Sequence, residues 1–340
     1  MSPNHNSSPD IYPGLDDELD RVYERNVAEG LAKPIEDIAV SGLETVVEEQ
    51  LQQRGPEVDL SPDAAIWVRT ELNNRVLGSW SRYEKQLGLT VPKSAVELLQ
   101  AKPEYAGTLE RLYRAKQELI ASNETTPEGL NVGETMRLVL IPWRGLKDNL
   151  TRLPEWVKEM RGIQGTATND DYLNENLLRA LQDDTELYHN PIAGHFFSTN
   201  GTTAPEWISA SDYLKQRIAM EGDWGIMLVQ TSDDAGLKRL VEGPSEQRSP
   251  DALTNKGAER FKVAGHNVDG LGVLEWLSLT FQEGPSKLSS QDASWLLANR
   301  LDVNGVPCVP NGDWYDARVK SRLRRADDRS GAIRPRLAVM

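Results

Sequence analysis

The residues from which a metal centre or a nucleophilic site could be built are few: His5, His189, His195, His266 and one cysteine, Cys308. His189 and His195 stand six apart across Pro191 and Gly194, not at the i, i+4 spacing that puts two imidazoles on one helix face. A lone histidine is more often hydrogen-bonded into a fold than used as a ligand, and no zinc pattern is present. A nucleophile needs a base and an orienting group. No Gly-x-Ser-x-Gly elbow occurs, and Cys308 lies among Pro307 and Pro310 with no histidine close in sequence. Gly270-Leu271-Gly272 lacks the third glycine of a dinucleotide fingerprint, and no phosphate loop is found. Carboxylates are plentiful, but their spacing singles out no pair. The expectation is no catalytic group, no metal and no cofactor.

Aromatic and cationic residues are the remaining candidates. Trp207, Trp224, Trp276, Trp295 and Trp314 fall in the second half, Trp67, Trp80, Trp143 and Trp156 in the first. Tryptophan and tyrosine suit both cores and recognition surfaces; most of these are expected in the core, with Tyr315 the best candidate for an exposed ring. From Gly312 to Met340 there are eight basic residues and four acidic ones, a net +4, so the rest of the chain carries −18 of the total −14. As a strand, Arg318, Lys320, Arg322 and Arg324, separated by Val319, Ser321 and Leu323, would set four cations on one face. As a helix they would spread around the axis.

The elements that position these residues divide by texture. From about Leu15 to Met160 a helical period dominates. Ile35, Ile38, Ala39, Leu43, Val46, Val47 and Leu51 mark one stripe. Ser61-Pro62 reads as N-cap and first turn of a helix burying Ile66, Leu72, Val76 and Trp80 and stopping near Gly88. Leu109, Leu112, Tyr113, Leu119 and Ile120 mark a third stripe. Leu138–Ile141 fits strand or buried helix, and Trp156 and Val157 a short helix. The stretch 162–170 reads as a linker, followed by a helix over Tyr172–Leu187. Beyond Asn190, short apolar runs alternate with turns. Ile226–Val229 reads as a strand, Ser289 and Asp292 as a capping box opening a helix over Ala293–Asn299, and Val303–Val309 as loop or edge strand. The triplet Gly-Asp-Trp at Gly222–Trp224 and Gly312–Trp314 is too short to mark a duplication.

At 340 residues, with 39% hydrophobic and 26% charged residues, the chain has the composition of a globular protein of about two domains. Its net charge of −14 argues against general nucleic-acid binding. No stretch approaches the roughly 20 apolar residues needed to span a bilayer, and Met1–Asp10 has neither the basic nor the apolar region of a secretory signal. A single cysteine rules out an internal disulfide framework. A cytoplasmic or virion-associated location is expected, without membrane insertion.

Three segments near the C-terminus carry a resemblance. Asp269-Gly270-Leu271-Gly272-Val273-Leu274-Glu275-Trp276 is similar to the Asp-x-x-Gly-Asn-Val-x-Glu-Trp signature of the formylglycine-generating-enzyme/sulfatase-modifying-factor family, one residue shorter after the glycine. Asn311-Gly312-Asp313-Trp314 resembles that family's Gly-Gly-Ser-Trp turn. Arg318-Val319-Lys320-Ser321 with Arg324 resembles the arginine-rich run that follows it, and Ile333–Ala338 the terminal strand. The resemblance covers the C-terminal quarter and implies a C-type-lectin-like fold. An amphipathic helix over Asp269–Phe281 is the alternative. The family's enzymes use a cysteine pair after the Gly-Ser-Trp turn, or three histidines holding iron, and residue counts here allow neither. The branch left is the variable ligand-binding proteins of diversity-generating retroelements. For these the resemblance implies ligand contacts at Asp313, Tyr315, Asp316, Arg318, Lys320, Arg322 and Arg324.

The chain is thus expected to be α+β: a disordered leader (1–14), a helical domain (15–165) and a C-type-lectin-like domain (186–340). The expected role is non-catalytic recognition of a protein or cell-surface ligand by the C-terminal face, with homo-oligomerisation open. The alternatives are an enzyme with an unrecognised site, using Cys308, and a structural assembly protein.

Overall fold

The computed structural model describes residues 60–165, 173–183, 187–189, 208–231, 236–241, 262–263, 266–267, 269–284, 293–296, 299–315, 318–328, 333–335 and 337–339. The expected leader and the stripe from Ile35 to Leu51 lie outside them. Asp59–Met340 form one compact unit, separate from Met1–Val58.

The chain enters through α1 (Pro62–Glu71), with extended Ser61 at its N-cap and proline in the first turn. It runs on through a π-helical stretch, Leu72–Leu77, and short turns of helix to Leu87, ending at left-handed Gly88. Leu72, Val76 and Trp80 are buried as their spacing predicts, but Ile66 is exposed. After α2 (Ala95–Ala101) comes α3 (Tyr105–Ala121), which buries Leu109, Leu112 and Leu119.

Strand β1 (Met136–Ile141) follows, then α4 (Trp143–Asn149), α5 (Leu153–Ile163) and α6 (Glu175–Asp183). The helix expected over Tyr172–Leu187 is thus shorter, and Leu187 opens β2 (Leu187–His189). Next are β3 (Ile208–Ser209), α7 (Ala210–Glu221) and β4 (Gly225–Gln230). The small strands β5 (Lys262–Val263), β6 (His266–Asn267) and β7 (Asp269–Gly270) precede α8 (Val273–Glu283). The C-terminal strands are β8 (Ala293–Trp295), β9 (Asn299–Val303), β10 (Val306–Tyr315), β11 (Arg318–Arg325), β12 (Ile333–Pro335) and β13 (Leu337–Val339). The fold is α+β with small, mainly antiparallel sheets.

One sheet is ordered β1-β4-β13-β7. β1 pairs with β4 from Met136↔Gln230 to Ile141↔Gly225, and β13 lies between β4 and β7. A strand from the helical stretch, one from the middle of the chain and the chain's C-terminal strand therefore share one sheet. β1 is at the edge of this path, and side chains satisfy its outer backbone groups. The buried Gln282 amide accepts from the Leu140 N–H (3.0 Å) and from Trp80 Nε1 (3.1 Å) and donates to the Leu138 carbonyl (3.0 Å). Arg75 also reaches the Leu138 carbonyl, while Glu71 pairs with Arg75 and Arg137. An unpaired strand edge under a helix would otherwise bury unsatisfied polar groups.

The other large sheet is ordered β12-β8-β10-β9-β2-β3, with β11 on the opposite edge of β10. β10 is its hub. One edge pairs with β9 through Val306–Cys308 and with β8 through Asn311 and Gly312; the other pairs with β11 from Cys308↔Arg325 to Tyr315↔Arg318. The turn between β9 and β10 is Asn304-Gly305, both at positive φ, and Asp302 Oδ1 accepts from the Gly305 N–H at 2.6 Å. This two-residue turn matches the twist of a hairpin. Gly312 is required because a Cβ there would enter the indole of Trp276 on α8.

Two expectations are corrected. The helix expected over Ala293–Asn299 is strand β8 followed by the start of β9; pairing of Asn311 and Gly312 with Trp295 and Ser294 outweighs the local capping signal, as sheet context commonly does. Val303–Val309, expected as loop or edge strand, is a strand-turn-strand whose second strand, β10, is paired on both edges, so Cys308 lies within β10. Of the two segments on which the lectin-like reading depends, Arg318–Arg325 is a strand and Val273–Glu283 a helix, buried throughout Val273–Gln282.

Candidate functional site

Along β11 the burial alternates from Val319 to Arg322, after which Leu323 and Arg324 are both half-buried and Arg325 is exposed. Val319 and Ser321 are fully buried, and Ser321 Oγ accepts from the Asn174 N–H at the start of α6 (3.2 Å). Lys320 and Arg324 are half-buried and Arg322 is exposed. Successive strand side chains take opposite faces, so these three cations share the face turned away from Ser321. Cross-strand neighbours share a face too, which places Asn311, opposite Arg322, and Val309, opposite Arg324, with them; both are buried, so here the exposure belongs to β11 and not to β10.

Of the residues expected to contact a ligand, Lys320, Arg322 and Arg324 are thus brought to one face. Asp313 and Tyr315 occupy β10 positions opposite Lys320 and Arg318, in the same parity. Asp316 lies outside the described residues. The charge is partly compensated: Arg324 pairs with Asp328 at 3.0 Å, and Arg325 grips both oxygens of Asp327 at 2.9 and 2.8 Å. Two buried polar atoms on this face, Asn311 Oδ1 and Arg324 Nε, have no hydrogen-bond partner among the described residues.

A second polar cluster escaped sequence reasoning. Tyr213, Arg217 and Glu221 recur at i, i+4 and i+8 along α7 and so line one helix face. Arg217 pairs with Glu221 and lies 5.2 Å from the Trp143 ring centroid. Trp143 Nε1 donates to Glu221 Oε2 at 2.6 Å, and the Tyr213 hydroxyl donates to Glu275 Oε1 on α8 at 2.6 Å. Glu275 Oε2 is buried with no hydrogen-bond partner among the described residues. Burial pushes the Glu275 carboxyl above its ordinary range, against the lowering pull of the Tyr213 hydrogen bond. Burial also raises Tyr213, with the Glu275 charge adding to it.

A protonated acid beside a phenol could serve proton transfer, but a general acid must come within about 3 Å of its substrate. Glu275, Tyr213 and Arg217 are 2%, 2% and 4% exposed, so the cluster ties α7 to α8 and is sealed from a substrate. The i, i+4, i+8 spacing was visible in the sequence; Glu275 as its partner was not.

Other candidates carry less chemistry. Cys308 is buried, and burial raises its thiol above the usual range, which keeps it protonated and unreactive. A surface cleft of about 490 Å³ is lined by Lys85, Gln86, Asp148, Asn149, Arg152 and Glu159 among others, with Arg152 and Glu159 paired at 2.5 Å. Among the described residues no group of three or more His, Cys, Asp or Glu side chains is placed to hold a metal, and no helix is long and apolar enough to cross a membrane. Compared with protein families, with curated proteins and with solved structures, the chain matches none.

Proposed function

We propose that this chain recognises a protein ligand through the face of β11 carrying Lys320, Arg322 and Arg324, and does not turn it over. The observation behind the reading is the alternation along Val319–Arg322 of β11. A buried row, Val319 and Ser321, anchors the strand to the fold, and a row of cations stands on the opposite face. A rigid strand holds charged groups at fixed spacing, which lowers the ordering cost of binding. The polar cluster with the strongest acid-base character is enclosed, and this favours recognition over catalysis.

The resemblance to the formylglycine-generating-enzyme family bears on the same stretch, because its variable ligand-binding branch places its contacts there. The diversified form of this proposal requires a near-copy of the 3′ end of the gene nearby, differing mainly at adenines, and sequencing the locus tests it. Recognition itself is tested by selecting binders from a random peptide library on the full chain and comparing them on Arg322→Glu and Lys320→Glu variants. The reading expects selected peptides to lose binding, about tenfold or more, on charge reversal. Peptides that bind all three proteins equally would overturn it.

A further inference from the structure

We infer that the exposed face of α1 is an interface between two copies of this chain, packed antiparallel about a two-fold axis at Ile66, with Asp63 of each copy set against Arg69 of the other. The inference is independent of the recognition reading, since it uses no residue of β11. Helix α1 buries Ala64, Val68 and Glu71 on one side, while Pro62, Asp63, Ile66, Arg69 and Thr70 are exposed. Residues three and four apart share a helix face, so these five form one stripe on the side away from the buried row. Ile66, which its spacing placed in the core, is 53% exposed at the centre of that stripe. Beside it, half-buried Trp67 lies 5.6 Å from half-buried Tyr113 of α3, ring centroid to ring centroid. An aliphatic side chain flanked by aromatic rings is surface that gains by leaving water, and rigid aromatics are common anchors of protein contacts.

The charges of the stripe select its occupant. Asp63 and Arg69 stand three residues on either side of Ile66, about 4.5 Å along the axis in each direction. Neither has an ion pair among the described residues; Asp63 borders the Tyr113 phenol, which is uncharged near neutral pH. A two-fold contact brings one patch against itself, so the patch must be its own complement. When two copies of α1 run antiparallel with their Ile66 side chains meeting, a residue n steps before Ile66 is level with the residue n steps after it on the other copy. Asp63 then comes level with Arg69 of the other copy, twice by symmetry and within reach of the long arginine side chain, and Pro62 comes level with Thr70. Parallel pairing sets Asp63 level with Asp63 and Arg69 with Arg69, which like-charge repulsion disfavours. A helix of 10 residues is about 15 Å long, too short to supply alone the roughly 800 Å² per partner of a standard interface. The dimer is therefore a transient one, with a dissociation constant between about 1 μM and about 1 mM.

The test is sedimentation velocity on the full chain, over a concentration series reaching about 0.5 mM, where a contact in that range is measurably populated. The parent is expected to pass from monomer towards dimer across the series. Asp63→Arg sets arginine against Arg69 of the other copy, and Arg69→Asp sets aspartate against Asp63. Each variant alone is expected to associate at least about tenfold more weakly than the parent. Mixed one to one, the two variants regain two opposite-charge pairs, and a heterodimer of about the parent's affinity is expected. Ile66→Glu alone should remain monomeric. Circular dichroism checks that each variant is folded, and the mixture checks it again, because a misfolded variant does not recover by meeting its counterpart. A parent that stays monomeric throughout overturns the inference. So does self-association that both charge reversals leave unchanged, or a mixture that fails to restore what they remove. The recognition reading stands through each of these results, since Lys320, Arg322 and Arg324 take no part in them.

Discussion

Glu275 shows how one buried side chain can govern the pH response of the fold. Its carboxyl is held above the ordinary value by burial, so the folded chain keeps a proton that the unfolded chain releases. The stability this group supports is full at acid pH, below its ordinary pKa of 4.5, and is lost as pH rises through the raised folded value. Glu275→Gln keeps the shape and removes the ionisation. It should leave the melting temperature at neutral pH equal to or above that of the parent and flatten the decline between acid and neutral pH. A lower melting temperature with an unchanged pH profile would mean that the folded carboxyl is ionised.

Lys116 carries the opposite sign. Burial, reinforced by the nearby Arg137 charge, pushes it down to about 8, while its ammonium donates to the carbonyls of Gly133 (2.9 Å) and Met136 (2.6 Å). The unfolded chain binds the extra proton between pH 8 and 10.5, so stability from this group rises with pH across that window. Lys116→Met should abolish that rise in a pH series of denaturant melts and remove the ammonium donor from the carbonyls of Gly133 and Met136.

Among elements, β1 depends on a side chain from α8. Gln282→Leu removes the partner of the Leu140 N–H and of Trp80 Nε1 and one of the two donors to the Leu138 carbonyl, which keeps Arg75. At about 1–3 kcal/mol for each buried group left unsatisfied, urea denaturation should show a loss of at least about 2 kcal/mol; a loss below about 0.5 kcal/mol would show that β1 needs no such cover.

Elements also set what the sequence could reveal. Strand β4 and the run of helix from Ser61-Pro62 to Gly88 were legible because apolar periodicity and caps agreed with their tertiary setting. The alternation along Arg318–Arg325 was legible as one of two periods, and pairing with β10 selects the strand. The Asn304-Gly305 turn is written in the sequence as a hairpin signal, but the prolines beside it, Pro307 and Pro310, make the stretch read as loop or edge strand. The strand at Ala293–Trp295 was not legible: Ser289 and Asp292 form a helix-start pattern, and the sheet contacts that override it come from residues about 17 positions later. Glu275 was hidden because a carboxylate in an acidic chain is unremarkable until its partner, Tyr213, 62 positions away, is known.

Over the whole molecule, the chain's last strand closes a sheet begun near its middle. β13 lies between β4 and β7, so deleting residues 337–340 exposes an edge of β4 and leaves β7 without its partner. The truncated chain should melt at least several degrees lower or lose its cooperative transition in calorimetry. An unaltered melt would show that β13 contributes nothing to the sheet.

β10, the spine of its sheet, pairs along its length with β11, which carries the cationic face, so binding there should register in the backbone. Hydrogen exchange of the full chain, with and without a peptide selected on it, tests this most directly. Slowed exchange concentrated in residues 306–325 is the predicted result. Protection confined to other parts of the chain, with 306–325 unchanged, would contradict recognition through this face.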